Sequence, residues 1–410
     1  MDMLGLIKAF IWLALTFLYA YIVGGKIPYM VFYTSLGILS TGLIWAAINA
    51  GKVRVICYAE TVNAQVGSKV KMTVEFENLS GWPVPWVQCW VNMPDSFCLP
   101  DNLICYNTSL SPHEKKALSE EMECRLRGHF FWGNMLIRTG DIFGIFTNSR
   151  NSGEILELIV MPELLNLGTD LGRIIGLKQG DTPSSLRPRR TGSGFIGVRK
   201  YDVGDGMSRI HWKASARYQS LLVKEFQEQK TLEFIIFLDA HTEHHSGSGP
   251  DGTMERSVTL AASLAAAGAK CGYGTGIVVS GAENKTVPVG YGKNHFNLIL
   301  ETLVNVQPVT KLKREEFDYE PSLLSRKSHI FIIAGLLEEP FIDGLVRRGA
   351  RGYGSTVFLF RLESFSGEAA YKAAREEGIE RLAGSGIPVI MIDKETDLRL
   401  MFRGLEYEAG

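Results

Sequence analysis

The sequence lacks a phosphate loop, a Cys-x-x-Cys pair and a disulfide framework. Gly192, Gly194 and Gly197 form a loose G-x-G-x-x-G pattern, but it leads into a strand-like stretch rather than a helix, which is the wrong context for a dinucleotide site. No glycine-rich loop ends in Gly-Lys-Ser or Gly-Lys-Thr, so the phosphate loop of the P-loop NTPases is absent. None of the six cysteines forms a Cys-x-x-Cys pair, which argues against a structural zinc ion. Five of the six fall between residues 57 and 124, unlike a disulfide framework, and we interpret all six as reduced thiols in a reducing compartment.

A bias toward charge of one sign is missing as well. The 410 residues include 43 Lys and Arg against 44 Asp and Glu, for a formal net charge of -1. No overall field therefore attracts nucleic acid or acidic substrates, and any electrostatic site must be local.

Charge is missing altogether from residues 9–25 and 27–51. Each stretch is apolar and long enough to cross the hydrocarbon core of a bilayer as a helix, the first only just. We therefore predict a transmembrane helical hairpin over residues 1–52. A single anchor or a signal peptide is the alternative for the first stretch, although no cleavage pattern follows it.

The basic residues beside the hairpin indicate its orientation. Lys8 flanks the first span, and Lys52 and Arg54 follow the second. A hairpin places both of its ends on one side, and the positive-inside rule puts the rest of the chain in the cytoplasm. The expected location is the cell membrane, with the bulk of the chain on the cytoplasmic side.

Residues 53–162 are typical of an all-β domain. The stretch KVKMTVEFEN alternates polar and apolar residues, as a strand with one solvent-facing side does. Further short apolar stretches follow, with turn sequences between them, and no helical periodicity competes. This spacing predicts a β-sandwich of about 110 residues.

The second half of the chain has two parts. Residues 163–231 begin with a stretch rich in Gly, Pro, Ser and Arg, which indicates an exposed basic linker. From 232 to 410, apolar strands such as EFIIFLD alternate with helical stretches such as MERSVTLAASLAAAGA. This alternation predicts a parallel sheet covered on both faces, a doubly wound α/β domain.

Residues 187–224 concentrate positive charge, with nine basic residues against two acidic ones. Such a segment fits the docking of a protein partner, the binding of anionic lipid or nucleic acid, or a structural joint. Arg199 and Arg209 lie close in sequence to the two aspartates, so part of the cluster is expected to pair internally. Trp212 is expected to stack on Arg209 or Arg217.

The sharpest candidate for a ligand site is Asp239, at the end of the first α/β strand. Ligands of doubly wound domains bind at the carboxyl ends of strands. The residues that follow include His241, Glu243, His244 and His245, and imidazole would favour a transition metal over Mg²⁺. An exposed polar loop or a capping aspartate is the alternative. Beyond a divalent cation at Asp239, no cofactor is expected.

The segment TGSGFIGVRKYDVGDGMSRIHWKASAR, residues 191–217, resembles the signature of the bacterial and archaeal domain of unknown function 58 family. That signature runs roughly Gly-x-Glu-Phe, Arg-x-Tyr-x-x-Gly-Asp and Arg-Ile-x-Trp-x-x-x-Ala-Arg, although Gly194 stands here in place of the glutamate. RGHFFWG and TGDIFGIF, at 127–133 and 139–146, also resemble the family. The central positions are Arg199, Tyr201, Gly204, Asp205, Arg209, Trp212 and Arg217.

The resemblance implies more than the residues do. Such proteins are similar to von Willebrand factor A-domain proteins and commonly accompany MoxR-type AAA+ ATPases as membrane-tethered adaptors or scaffolds. The metal motif that some members carry is degraded here, with His241 and Glu243 at its serine positions. No nucleophile–base set stands out, so we expect a membrane-anchored, non-enzymatic adaptor that binds a protein partner rather than nucleic acid. The signature residues would form its docking surface or a structural joint.

Overall fold

A computed structural model describes residues 3–153, 155–167, 195–202, 207, 210–226, 233–281, 285–310, 328–366 and 372–404. The chain divides into two compact units. The first is Met1–Glu163 with the short stretch Leu303–Asn305, and the second is Leu164–Thr302 with Val306–Gly410.

Two antiparallel helices, α1 (Met3–Val23) and α2 (Lys26–Asn49), open the first unit. At 1.5 Å per residue they are about 32 and 36 Å long, close to the roughly 30 Å of a bilayer core. Both are long and apolar enough to cross a membrane, as predicted. Gly24 and Gly25 make the turn between them with φ of 66° and 87°, a left-handed conformation that favours glycine.

The rest of the first unit is rich in β-structure. Its strands form three sheets, of order β1-β3-β6, β2-β10-β7 and β5-β4-β8-β9. All neighbours are antiparallel except β2 and β10. The strands are β1 (Val53–Ala59), β2 (Asn63–Gln65), β3 (Lys69–Asn78), β4 (Val84–Asn92), β5 (Leu103–Leu110), β6 (Lys115–Glu123), β7 (Gly128–Trp132), β8 (Met135–Gly140), β9 (Thr147–Ser152) and β10 (Leu156–Met161).

One hydrophobic core lies beneath these sheets. Successive side chains of a strand point to opposite faces, and the alternation in β3 accordingly buries Val70, Met72, Val74 and Phe76 together. None of the six cysteines forms a disulfide, as the sequence indicated. Burial raises the pKa of the Cys89 thiol to about 12, so it behaves as a packed apolar group rather than a nucleophile.

The second unit begins with a small two-stranded antiparallel sheet. Its strands are β11 (Phe195–Lys200) and β12 (Leu222–Phe226), and the short helix α3 (Trp212–Tyr218) lies between them in the chain. His211 caps α3, because its Nδ1 accepts a hydrogen bond from the Ala214 main-chain N–H at 3.2 Å.

A six-stranded sheet of order β15-β14-β13-β16-β17-β18 forms the centre of the second unit. Neighbouring strands are parallel, apart from the antiparallel edge strand β15. The strands are β13 (Glu233–Asp239), β14 (Gly274–Ser280), β15 (Lys285–Gly290), β16 (His329–Ala334), β17 (Ser355–Phe360) and β18 (Val389–Ile392). The helices are α4 (Thr253–Cys271), α5 (Gly292–Val304), α6 (Glu339–Ala350), α7 (Leu362–Ser366), α8 (Lys372–Gly384) and α9 (Leu398–Gly404).

Helices cover both faces of this sheet. On one face α6 and α8 pack against Ile330, Ile332 and Val357. On the other face α4 approaches so closely that a Cβ added at Gly268 would lie 2.5 Å from the Phe234 ring. The order 3-2-1-4-5-6 is that of a doubly wound domain, and the strand order reverses between the parallel neighbours β13 and β16. This switch point is where such domains bind ligands.

His329, at the start of β16, makes the stability of the second unit depend on pH. Burial and the nearby Arg348 cation lower the pKa of His329 to about 4, and its Nε2 lies 3.0 Å from the Thr356 hydroxyl oxygen. His329 takes up a proton near pH 6.5 in the unfolded chain but only near pH 4 in the folded chain. Stability should therefore fall by about 3 kcal/mol as the pH drops from 6.5 to 4.

Hydrogen exchange of β16 and β17 in the detergent-solubilised full chain measures this loss. His329→Gln should flatten the pH dependence, whereas the exposed His113→Asn should leave it unchanged. An equal slope in His329→Gln and the wild type would contradict the assignment.

Candidate functional site

Asp239 ends β13 at the switch point and is buried there. The chain continues past it as an extension of the sheet. The Ala240 N–H donates to the Ser280 carbonyl oxygen at 2.8 Å, and the Thr242 N–H donates to the Val309 carbonyl oxygen at 3.1 Å. A single 3₁₀ turn, Thr242–His244, then folds the loop back over the end of the strand.

Two histidines of this loop, His241 and His244, bond to the Asp239 carboxylate. The Nδ1 of His241 lies 2.7 Å from Oδ1, which also accepts the His241 main-chain N–H at 3.1 Å. The Nδ1 of His244 lies 2.5 Å from Oδ2. Both imidazoles are buried. We call residues 239–246 the histidine loop.

A third histidine closes the histidine loop against α4. The Nε2 of His245 lies 2.8 Å from the Asp239 carbonyl oxygen, and its Nδ1 lies 3.1 Å from the Thr253 hydroxyl. That hydroxyl in turn accepts the Ser246 N–H at 2.8 Å. Burial lowers the pKa of His245, which favours the neutral ring that this arrangement of one donor and one acceptor requires.

Asp239 is held as a carboxylate. Burial works to raise its pKa, but the hydrogen bonds from His241 and His244 outweigh burial, and the pKa lies well below its usual range. The buried charge therefore has its partners in the same loop, as a buried carboxylate needs. Removing the Asp239 carboxylate would leave two imidazoles and a main-chain N–H without their common acceptor.

The histidine loop lies at the switch point. A Cβ added at Gly335, just after β16, would lie 2.1 Å from the His244 carbonyl oxygen and 2.6 Å from Leu362. The main chain of the histidine loop thus rests directly on the end of the neighbouring strand. The histidine loop therefore lies against the edge of the sheet at which other doubly wound domains bind ligands.

Only some of the side chains in this loop that could bind a metal ion lie close together. Asp239, His241 and His244 each offer a ligand atom, and these atoms lie within 4.8 Å of one another, a spacing that suits one metal ion. Glu243 is exposed, and His245 faces the main chain and Thr253 instead. Of the five residues that the sequence indicated, three therefore come together.

The predicted signature divides between described and undescribed residues. Gly204, Asp205 and Arg209 lie outside the described residues. Tyr201 is half-buried and continues the β11–β12 pairing, since its N–H donates to the Leu221 carbonyl oxygen at 2.9 Å. Arg199 is exposed, and its guanidinium donates to the Lys200 carbonyl oxygen at 3.2 Å.

The helix of the signature, α3, buries none of its side chains. Trp212 is 65% exposed and Tyr218 is 67% exposed, and Lys213 and Arg217 on the same helix are exposed too. Among the described residues, the Trp212 ring makes no cation–π contact with Arg217. We call this set the signature surface: Arg199, Lys200, Trp212, Lys213, Arg217 and Tyr218.

Comparison with known proteins supports the resemblance over part of the chain. Residues 197–355 match the family model "Protein of unknown function DUF58". The match runs from the signature through the histidine loop to the start of β17. The Uncharacterized protein YeaD of Bacillus subtilis (strain 168) is 23% identical over 344 residues, which are 80% of this chain and 82% of that protein.

Solved structures add nothing to the argument. The CARDB domain of the PF1109 protein from Pyrococcus furiosus aligns with a TM-score of 0.21 at 18% identity, over 26% of this chain and 86% of that one. The Pseudomonas fluorescens alkylpurine DNA glycosylase AlkC aligns with a TM-score of 0.19 at 12% identity, over 36% of this chain and 41% of that one. Scores this low carry no conclusion on fold or function.

Three residues of these sites were not singled out in the sequence. Thr253 and Gly335 hold the histidine loop in place, and Tyr218 belongs to the signature surface. The sequence contained a signal for Gly335, because this residue directly follows a continuously apolar strand at the edge of the sheet where ligands bind. Thr253 and Tyr218 had none, since their roles depend on contacts and exposure that appear only in the fold.

Proposed function

We propose that this chain is a membrane-anchored, non-enzymatic adaptor whose second unit docks a protein partner through the signature surface. The observation that carries the proposal is the exposure of Trp212 and Tyr218 among basic side chains on a helix with no buried residue. Aromatic residues and arginine are enriched in binding hot spots. A structural joint would instead bury these rings.

The two apolar helices support the membrane anchor, and the basic residues Lys8, Lys52 and Arg54 support a cytoplasmic location for both units. The partner class is the MoxR-type AAA+ ATPase that the family resemblance implies. The doubly wound sheet supports the similarity to von Willebrand factor A domains. The non-enzymatic part of the proposal rests on the sequence, in which no nucleophile–base set stands out.

Photo-crosslinking in native membranes tests the docking surface. A benzoylphenylalanine at Tyr218 should form an adduct with an AAA+ ATPase, and the same group at Tyr58, an exposed tyrosine of β1, should not. Trp212→Ala should weaken partner binding about 30-fold or more, as loss of a hot-spot residue does. Because Trp212 is exposed, the substitution should change unfolding stability by less than about 0.5 kcal/mol.

Two outcomes would contradict this proposal. Unfolding of the second unit by Trp212→Ala would make the signature a structural joint. Adducts that are the same from Tyr218 and Tyr58 would mean that the signature surface has no partner. Binding to nucleic acid through residues 187–224 would instead show an affinity that falls steeply with salt.

A second candidate function is a divalent transition-metal site in the histidine loop, favoured by the convergence of Asp239, His241 and His244. One carboxylate and two imidazoles suit Zn²⁺, Co²⁺ or Ni²⁺ better than Mg²⁺. Three protein ligands leave a fourth tetrahedral position open. In this function the ion would stabilise the histidine loop.

Titration of the full-length, chelator-treated protein with Co²⁺ tests this site through the visible absorption of the bound ion. One equivalent should bind at pH 7.5, and excess chelator should remove it. His244→Ala should abolish binding, and Glu243→Gln, which changes an exposed carboxylate in the same loop, should not. Equal Co²⁺ binding by wild type and His244→Ala would reject the site.

A further inference from the structure

The base of the helical hairpin holds a tight turn of the sheet-rich region, residues 141–146. Asp141 is buried within it and accepts the Phe146 N–H at 2.7 Å on Oδ1 and the Phe143 N–H at 3.1 Å on Oδ2. The Trp86 indole N–H donates to the Asp141 carbonyl oxygen at 2.9 Å. The carboxylate thus fixes the turn, whose tip exposes two large apolar side chains, Ile142 at 57% and Phe143 at 53%.

Small residues of both helices receive this turn. A Cβ added at Gly5 of α1 would lie 2.4 Å from the Ile145 carbonyl oxygen, and one added at Gly42 of α2 would lie 2.9 Å from Asp141 Oδ2. Phe146 then packs with Ala9, Leu39 and Ala46 in a small core shared by the turn and the two helices. The turn and the hairpin base therefore form one packed body within the first unit.

A groove of about 580 Å³ lies between the turn and the hairpin. Apolar side chains such as Leu4, Ile38 and Ile145 form much of its wall, and Lys8 and Arg138 add two cations. No acidic side chain is among the described residues that line it. Lys8 is exposed, and the Arg138 guanidinium is fixed by a hydrogen bond to the Thr147 hydroxyl at 3.4 Å.

The groove begins near the end of the hairpin that adjoins the sheets and extends toward the middle of the two helices. Lys8 lies five residues beyond the first residue of α1, which is about 8 Å along the helix axis. Trp12 lines the groove one turn deeper, and its indole N–H donates to the Ser35 hydroxyl at 3.4 Å. A lysine near the end of a spanning helix can extend its long side chain to the membrane interface, whereas Trp12 lies near the middle of α1.

We propose that this groove binds one anionic phospholipid, with the headgroup phosphate between Lys8 and Arg138 and the acyl chains along the apolar wall. The inference rests on the membrane anchoring in the proposed function. Charge complementarity selects the occupant, because a basic pocket at the interface between helices suits an anionic headgroup. The exposed Ile142 and Phe143 extend the same apolar surface into the interface. A transmembrane helix of another protein would need no such pair of cations.

Native mass spectrometry of the full-length protein in detergent tests the groove, with phosphatidylglycerol and phosphatidylcholine of the same acyl chains as probes. The wild type should retain phosphatidylglycerol in preference. Lys8→Gln should weaken that binding about fivefold, the usual worth of one cation near an anionic lipid surface. Arg138→Lys should keep most of the preference because it keeps the charge. Lys213→Gln, in the signature surface, should have no effect.

Each of the following results would contradict the proposed lipid site. Equal retention of the two lipids would deny headgroup selection. Loss of binding in Lys213→Gln but not in Lys8→Gln would place the lipid on the basic segment. Full competition by glycerol phosphate would reduce the site to an anion site, and competition by a co-purified membrane protein would make it a helix-docking site.

Alkaline carbonate extraction separates this inference from its premise. Release of the protein into the supernatant would contradict the membrane anchoring itself. An integral protein that binds both lipids equally would contradict only the lipid groove.

Discussion

The apolar surface of the N-terminal hairpin is the constraint on which the rest of the molecule depends. The two helices contact each other, but most of their large side chains, such as Phe10, Tyr21 and Ile27, stay exposed. Water cannot cover about 30 Å of such surface at tolerable cost, and a bilayer does so without any further contact. The hairpin therefore supports membrane association of the chain.

The first unit is built to hold the sheet-rich region against that surface. The Asp141 turn seats on Gly5 and Gly42, and Asn49, at the end of α2, accepts a hydrogen bond from the Ser80 hydroxyl and donates to the Pro83 carbonyl oxygen. Packing and hydrogen bonds to both helices limit rotation of the sheets about the hairpin. In the second unit, the histidine loop lies at the switch point, and the signature surface stays open. The open signature surface favours recognition of a partner.

The sequence predicted the features that depend on local pattern. The absence of charge predicted both helices, and the alternation of polar and apolar residues predicted β3. Continuous apolar runs predicted the parallel strands. It also identified Asp239, because a buried strand ends there. It did not separate the exposed Glu243 from the buried His241 and His244. That separation comes from the 3₁₀ turn and from Gly335, which directly follows β16 and is nearly a hundred residues away in sequence. Gly5 and Gly42 resembled ordinary lipid-facing residues, since only the folded turn shows what they contact. The exposure of Trp212 likewise cannot be predicted from the spacing of residues in the sequence.

The central claim is that a membrane hairpin holds the folded units on the cytoplasmic side. Cys98 and Cys105 are exposed thiols of the sheet-rich region that form no disulfide, and they serve as natural probes of its location. A membrane-impermeant maleimide should label them in inverted vesicles and not in intact spheroplasts, with Cys98→Ser/Cys105→Ser as the background control. The protein should stay in the membrane pellet throughout. Equal labelling in intact spheroplasts, or recovery of the protein in the soluble fraction, would contradict the account.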